Sequence, residues 1–257
     1  MNRRGRRRGL ALLGVFLWSI VAVPVTSAGT DYAATVLADG PTSYWRLGET
    51  TGTTAADSAG SSPGTIAGGV TLGLPGAIVG DPDTAMGFDS ASRQYIKVSD
   101  TAALDFTGDF SVEAWAKPAV LNGVGGAIVH KGGPSGYSVW QYRLSTTSGN
   151  QWRGTVFVGT TAIQVTAPGT PSTTSWTHLV MTKAGNTLTL YVNGAAVAST
   201  TFSGTVNTSN GNLAIGRTGS SNTDYFNGQI DEVAVYPTAL SAARVLAHYQ
   251  AGIGATS

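Results

Sequence analysis

The run Thr187-Leu188-Thr189-Leu190-Tyr191-Val192 alternates and passes directly into Asn193-Gly194, after which Ala195-Ala196-Val197-Ala198 begins. Successive side chains of a strand point to opposite faces, so this pattern describes a half-buried strand and not a helix. Asn and Gly both accept the positive φ that a two-residue hairpin turn demands. Residues 187–198 therefore read as a β-hairpin. The same period recurs in Phe110-Ser111-Val112-Glu113-Ala114-Trp115-Ala116, which stops at Pro118, a residue unable to donate to a ladder. Residues 176–181, 212–215 and 229–236 are further strands. One helix is expected, from Ala242 to Tyr249, with Ser241 as its cap and Gly252 as its stop. Val245, Leu246 and Tyr249 share one of its faces.

Thirty-five glycines and only 11% charged residues suit many short strands joined by tight turns. The expected fold class is all-β: a two-sheet antiparallel β-sandwich, or jelly roll, with a short C-terminal helix.

The N-terminus reads as an export signal. Arg3, Arg4, Arg6, Arg7 and Arg8 form a basic start, and residues 10–25 an apolar run short for a membrane span. Thr26-Ser27-Ala28 offers the small residues of a cleavage site. The domain reading is a signal peptide over 1–28, a leader over 29–41, the sandwich over 42–250 and a tail over 251–257. An uncleaved anchor is the alternative. The whole chain has 15 Lys+Arg and 14 Asp+Glu; without the five N-terminal arginines it keeps ten basic and fourteen acidic side chains, a net charge of −4. An acidic surface without basic clusters argues against nucleic acid and, after signal cleavage, against a membrane as partner. With no cysteine, the exported protein has neither disulfides nor thiolate chemistry.

Several segments, taken in order, resemble the laminin G-like jelly-roll family of the concanavalin A-like lectin/glucanase superfamily. They include Tyr44-Trp45-Arg46-Leu47-Gly48-Glu49, Asp57-Ser58-Ala59-Gly60, Tyr95-Ile96-Lys97-Val98 and Phe110 through Pro118. Trp176-Thr177-His178-Leu179-Val180, Leu213 through Arg217 and Phe226 through Tyr236 follow. The resemblance spans essentially the whole chain after the signal. It implies two packed antiparallel sheets, with ligands on a concave sheet face or its rim loops. It leaves function open, because this fold hosts lectins, hydrolases, lyases and adhesive modules.

Related glucanases carry a Glu, an Asp and a second Glu at alternating positions of one strand. Here Glu113 stands alone among only three glutamates, and Asp231-Glu232, being adjacent, should point to opposite faces. The Gly60-Ser61-Ser62-Pro63-Gly64 match to a nucleophile elbow lies in a polar loop and reads as a loop. His130, His178 and His248 lack ligand spacing for zinc. Asn207-Thr208-Ser209 reads as a turn. Trp45, Trp115 and Trp176 are assigned to packing.

The expected function is a secreted, non-catalytic carbohydrate-binding or adhesive module, with a polysaccharide or cell-surface glycan as partner. A structural or protein-interaction domain is the first alternative and a glycan-active hydrolase or lyase the second. The candidate ligand residues are Tyr137, Trp140, Tyr142 and Trp152, aromatic rings among polar neighbours, with Arg143 and Arg153 as donors to sugar hydroxyls. A structural calcium ion is also expected. Asp57 lies in a Gly/Ser loop that can turn oxygens toward one point. The resemblance adds Asp231, before the last strand, which would join an N-terminal acid such as Glu49 to tie the chain ends.

Overall fold

The computed structural model describes Met1 and residues 31–133, 140–219 and 224–255. The expected signal segment and its cleavage site lie outside these residues. In chain order the strands are β1 (Ser43–Trp45), β2 (Thr54–Ala55), β3 (Gly64–Ala67), β4 (Thr71–Pro75), β5 (Thr84–Phe88) and β6 (Tyr95–Val98). Then come β7 (Phe110–Pro118), β8 (Ala127–Gly132), β9 (Trp140–Thr146), β10 (Trp152–Val158) and β11 (Thr161–Thr166). The last are β12 (Thr177–Ala184), β13 (Thr187–Val192), β14 (Ala195–Thr201), β15 (Leu213–Ile215) and β16 (Gly228–Tyr236). Helices α1 (Tyr32–Ala38) and α2 (Ala242–Gly252) bracket the strands.

The strands form two antiparallel sheets packed as a sandwich. One runs β14-β13-β12-β7-β16-β5-β4, with β1 also paired to β16; the other runs β11-β10-β9-β8-β15-β6-β3-β2. The hairpin at Asn193-Gly194 forms as read, with φ of 50° and 80° at its two turn residues. The first and last strands are neighbours, Ser43 opposite Val235 and Trp45 opposite Val233.

Between the sheets lies the main core, including Trp45, Met86, Phe110, Val112, Tyr142, Val156, Leu190 and Ile230. Each large apolar side chain taken fully from water here contributes roughly 1.5–3 kcal/mol. A second apolar layer covers the outer face of the first sheet. Trp115, Val180, Ala234 and Tyr236 of that sheet pack against Tyr32, Val36 and Val245 of the helices. Helix α1, capped by the Asp31 carboxylate, belongs to this layer, so the segment read as a leader is part of the domain. Ser241 caps α2 as expected, and the helix ends at Gly252 rather than Tyr249. A Cβ at Gly252 would sit 2.3 Å from the Trp115 ring, so glycine is what lets α2 lie flat on the sheet.

Candidate functional site

The helices lie on the first sheet, and the outer face of the second sheet carries no helix. Strand pairing carries one row of residues across it. Lys97 of β6 faces Ala214 of β15, which faces His130 of β8; His130 faces Arg143 of β9, Arg143 faces Thr155 of β10, and Thr155 faces Gln164 of β11. One step along, Arg153 faces Ser145 on one side and Thr166 on the other. Period 2 places all of these on one face, while Leu144, Val156 and Val165 between them point into the core.

Over β9–β11 this face sinks into a polar groove of about 160 Å³, lined by Trp140, Arg143, Arg153, Thr155, Gln164 and Asp224 among others. That is smaller than the roughly 300–1,000 Å³ of drug-sized sites. Arg143 pairs with Asp224 at 3.0 Å. The Nε of Arg153 donates to the Thr166 hydroxyl at 3.3 Å. His130, buried at the edge of this region, accepts a hydrogen bond on Nδ1 from the Gly219 N–H at 2.7 Å. Burial, then the Arg143 and Lys131 charges, hold its pKa well below the usual histidine range, so the ring is neutral.

Of the expected ligand residues, Trp140, Arg143 and Arg153 come together at this groove. Tyr137 lies outside the described residues. Tyr142 and Trp152 require correction, because both rings lie in the inter-sheet core. Tyr142 packs against Phe106 and Phe110, and its hydroxyl donates to the Leu104 carbonyl. Trp140 would share Tyr142's inward direction by simple alternation. A register shift opposes Lys131 to Tyr142 but Gly132 to Trp140, so Gln141 is an extra residue in β9. Trp140 turns outward and packs edge-on against His130 and Phe157. Thr155 and Gln164 were not singled out in the sequence; their period-2 placement beside Arg153 is the signal that would have found them. Trp45 and Trp115 are buried as expected; Trp176 is partly buried and packs against the second apolar layer, with the Lys117 ammonium 4.9 Å from its ring centre.

The acidic residues have structural surroundings. Glu113, fully buried, accepts from Tyr32 Oη at 2.9 Å, Tyr236 Oη at 2.5 Å, His178 Nε2 at 2.7 Å and His248 Nδ1 at 3.0 Å. Two of the three histidines, distant in sequence, thus meet on one carboxylate. Burial works to raise the Glu113 pKa, but His248 and His178 hold it well below the carboxylate range. Asp231 and Glu232 do not sit on opposite faces as alternation implied. Glu232 has φ of 51°, and β16 is bulged between Asp231 and Ala234. Both carboxylates are buried in one neighbourhood, where burial first and then neighbouring carboxylates push Asp231 up to about 8 and raise Glu232.

The calcium candidates accept hydrogen bonds from backbone amides of the protein. Asp57 Oδ1 accepts N–H bonds from Tyr44, Ala59 and Gly60, and its Oδ2 accepts one from Ser62. Asp231 accepts from the Ala77 and Glu232 amides, and Glu49 from the Ala56 amide. Asp57 has both oxygens engaged by N–H groups and Asp231 accepts from two, while Glu49 keeps Oε2 without a partner. Among the described residues no three His, Asp or Glu side chains stand as a metal-holding group. The joining of chain ends expected of calcium is supplied by the Arg46 guanidinium, which contacts Asp81 at 2.7 Å, Asp83 at 2.9 Å and Glu232 at 3.3 Å. The expected result is the same melting midpoint in calcium and in excess chelator. A midpoint several degrees lower in chelator would restore the calcium reading.

A two-sheet jelly roll with one face sheathed by helices and the other open is the class of protein this architecture defines. Residues 90–246 match the concanavalin A-like lectin/glucanases superfamily, in its laminin G-type family, and the chain belongs to that family. No curated protein matches its sequence. Among solved structures it is similar to domain 4 of an extracellular arabinanase from Geobacillus stearothermophilus, in complex with arabinotriose. The TM-score is 0.61 at 23% identity, over 82% of this chain and 98% of that one. It is also similar to the binding domain of the Paraclostridial mosquitocidal protein 1, with a TM-score of 0.64 at 17% identity over 83% of this chain. A third is the ligand-binding domain of botulinum neurotoxin serotype D in complex with N-acetylneuraminic acid, with a TM-score of 0.64 at 14% identity over 85% of this chain. The chain spans about half the length of the two toxin structures, 52% of each. At these identities the likeness is one of fold.

Proposed function

We propose that this protein is a secreted, non-catalytic glycan-binding module that holds one saccharide unit in the groove on the outer face of β9–β11. The observation that carries the reading is the division of labour between the faces. Helices α1 and α2 cover one sheet. The other presents side chains that donate to and accept from hydroxyls, namely Arg143, Arg153, Thr155 and Gln164, around an open groove. The glycan complexes of the arabinanase domain and of the serotype D toxin domain support carbohydrate as the ligand class. Glu113, Asp231 and Glu232 are buried and hydrogen-bonded within the protein, which supports binding rather than hydrolysis.

The double variant Arg143→Ala, Gln164→Ala should weaken retention on a glycan array at least tenfold, about 1.4 kcal/mol, with the melting midpoint close to that of the parent. Unchanged retention would move the site off this face. Export is tested separately. Mass spectrometry of secreted protein should give a first residue near Gly29, and a chain retaining Met1 in the membrane would overturn secretion.

A further inference from the structure

We propose that the groove selects saccharides bearing a carboxylate, and that the Arg153 guanidinium reads that group; the inference rests on the glycan-binding reading of this face. Arg143 and Arg153 are diagonal neighbours on adjacent strands, a spacing of roughly 7–8 Å or a little less. Arg143 has its counter-charge in Asp224 at 3.0 Å. Arg153 has none among the described residues, where its Nε–Thr166 hydrogen bond engages only one edge of the guanidinium. The internal segments 134–139 and 220–223, outside the described residues, contain no acidic residue, so no carboxylate from them answers Arg153. The groove therefore holds two guanidinium groups against one carboxylate.

This local excess of positive charge stands on a chain that is net −4 from residue 29 onward. Its field is felt by His130, whose proton is disfavoured by burial and also by Arg143. The remaining N–H groups of Arg153, a half-buried residue at the groove, are free to meet an anion there. A planar guanidinium presents two parallel N–H groups at the spacing of carboxylate oxygens, which an ammonium cannot copy. Gln164, Thr155 and Ser145 remain for the ring hydroxyls. A neutral sugar would offer Arg153 single hydroxyl acceptors but not the paired, charge-assisted bonds of a carboxylate.

The test is an array of uronate- and sialate-containing oligosaccharides, each beside its carboxyl-reduced form and a sulfated form without a carboxyl group, probed with the protein and with Arg153→Lys. The expected result is retention of at least one carboxylated saccharide, with its reduced form at least tenfold weaker. Arg153→Lys should lose the same tenfold while its melting midpoint stays near the parent's. Equal retention of acid and reduced forms would overturn the carboxylate reading and leave glycan binding standing. Retention of sulfated forms alone would overturn the match to a carboxylate. Full retention by Arg153→Lys would overturn the role of that residue. Retention of no saccharide at all would bring down both this inference and the glycan-binding reading beneath it.

Discussion

Glu113→Ala is expected to lower the melting midpoint by roughly 10 °C or more. The carboxylate is a fully buried acceptor for two tyrosine hydroxyls and two histidine rings. These partners come from α1, β12, β16 and α2, so one group on β7 ties both helices to the first sheet. Removing it strands several buried donors at once. Breaking a buried charge pair costs about 3–5 kcal/mol, and each kcal/mol shifts the midpoint by about 2–4 °C in a domain of this size. Glu113→Gln keeps the volume but turns an amide donor toward groups that already donate, so it should recover only part of the loss. A midpoint within 2 °C of the parent for Glu113→Ala would show that this centre is not what fastens the helices.

The same centre sets how stability varies with pH. Burial opposes the charge on His248, but Glu113 and then Asp39 raise its pKa above the usual histidine value. The folded state holds that proton more tightly than the unfolded chain does. The stability it brings is complete below about pH 6.5 and is lost as pH climbs through the folded value. Glu113 works in the other direction: its contribution is present above about pH 4.3 and is lost as pH falls through its depressed folded value. Asp231, pushed up to about 8, and Glu232, also raised, ionise at growing cost as pH rises. Buried His130 opposes the His248 gain below about pH 6.5, because its depressed folded pKa leaves the proton to the unfolded chain; together these give a midpoint that is highest near pH 6 and falls steadily toward pH 8–9, measurable by thermal melting in a buffer series. A midpoint that rises between pH 6 and 8 would contradict the assignment.

The elements legible in the sequence were those whose signals are local. The 187–198 hairpin had both its alternation and its turn chemistry, and α2 had its Ser241 cap and its glycine stop. Helix α1 was missed because seven residues give barely two turns of periodicity; Asp31 followed by Tyr32 and Val36 was the only trace of it. The candidate site was half legible. The β9–β10 register sets Arg143 and Arg153 on one face, and the extra residue Gln141 decides that Trp140 faces out while Tyr142 faces in. The left-handed backbone at Glu232 likewise breaks an alternation argument that was sound for a regular strand. The Glu113 centre was out of reach, because its partners lie 65 and 135 residues away along the chain.

Lys131→Met should be the second costly single change, at about 3 kcal/mol. The Lys131 ammonium is enclosed by four oxygens at one end of β8: Asp100 Oδ1 at 2.7 Å, Asp105 Oδ1 at 3.0 Å, the Ser209 carbonyl at 2.5 Å and the Gly211 carbonyl at 2.8 Å. Its side chain is fully buried, whereas Asp100 and Asp105 are 33% and 22% exposed. Water therefore repays part of the loss at the carboxylates, which puts the cost at the low end of the range for a broken buried pair. Methionine fills nearly the same volume, so the cavity term is small and the measured change reports the charge and its hydrogen bonds. The ammonium pins the loop after β6 to the loop before β15, and β15 pairs with both β6 and β8 in the open sheet. The Asp105→Asn variant, combined with Lys131→Met in a double-mutant cycle, should show a coupling of at least 1 kcal/mol, within the range for contacting residues. Additive losses would mean that the two loops are held by their backbones and the ammonium is incidental.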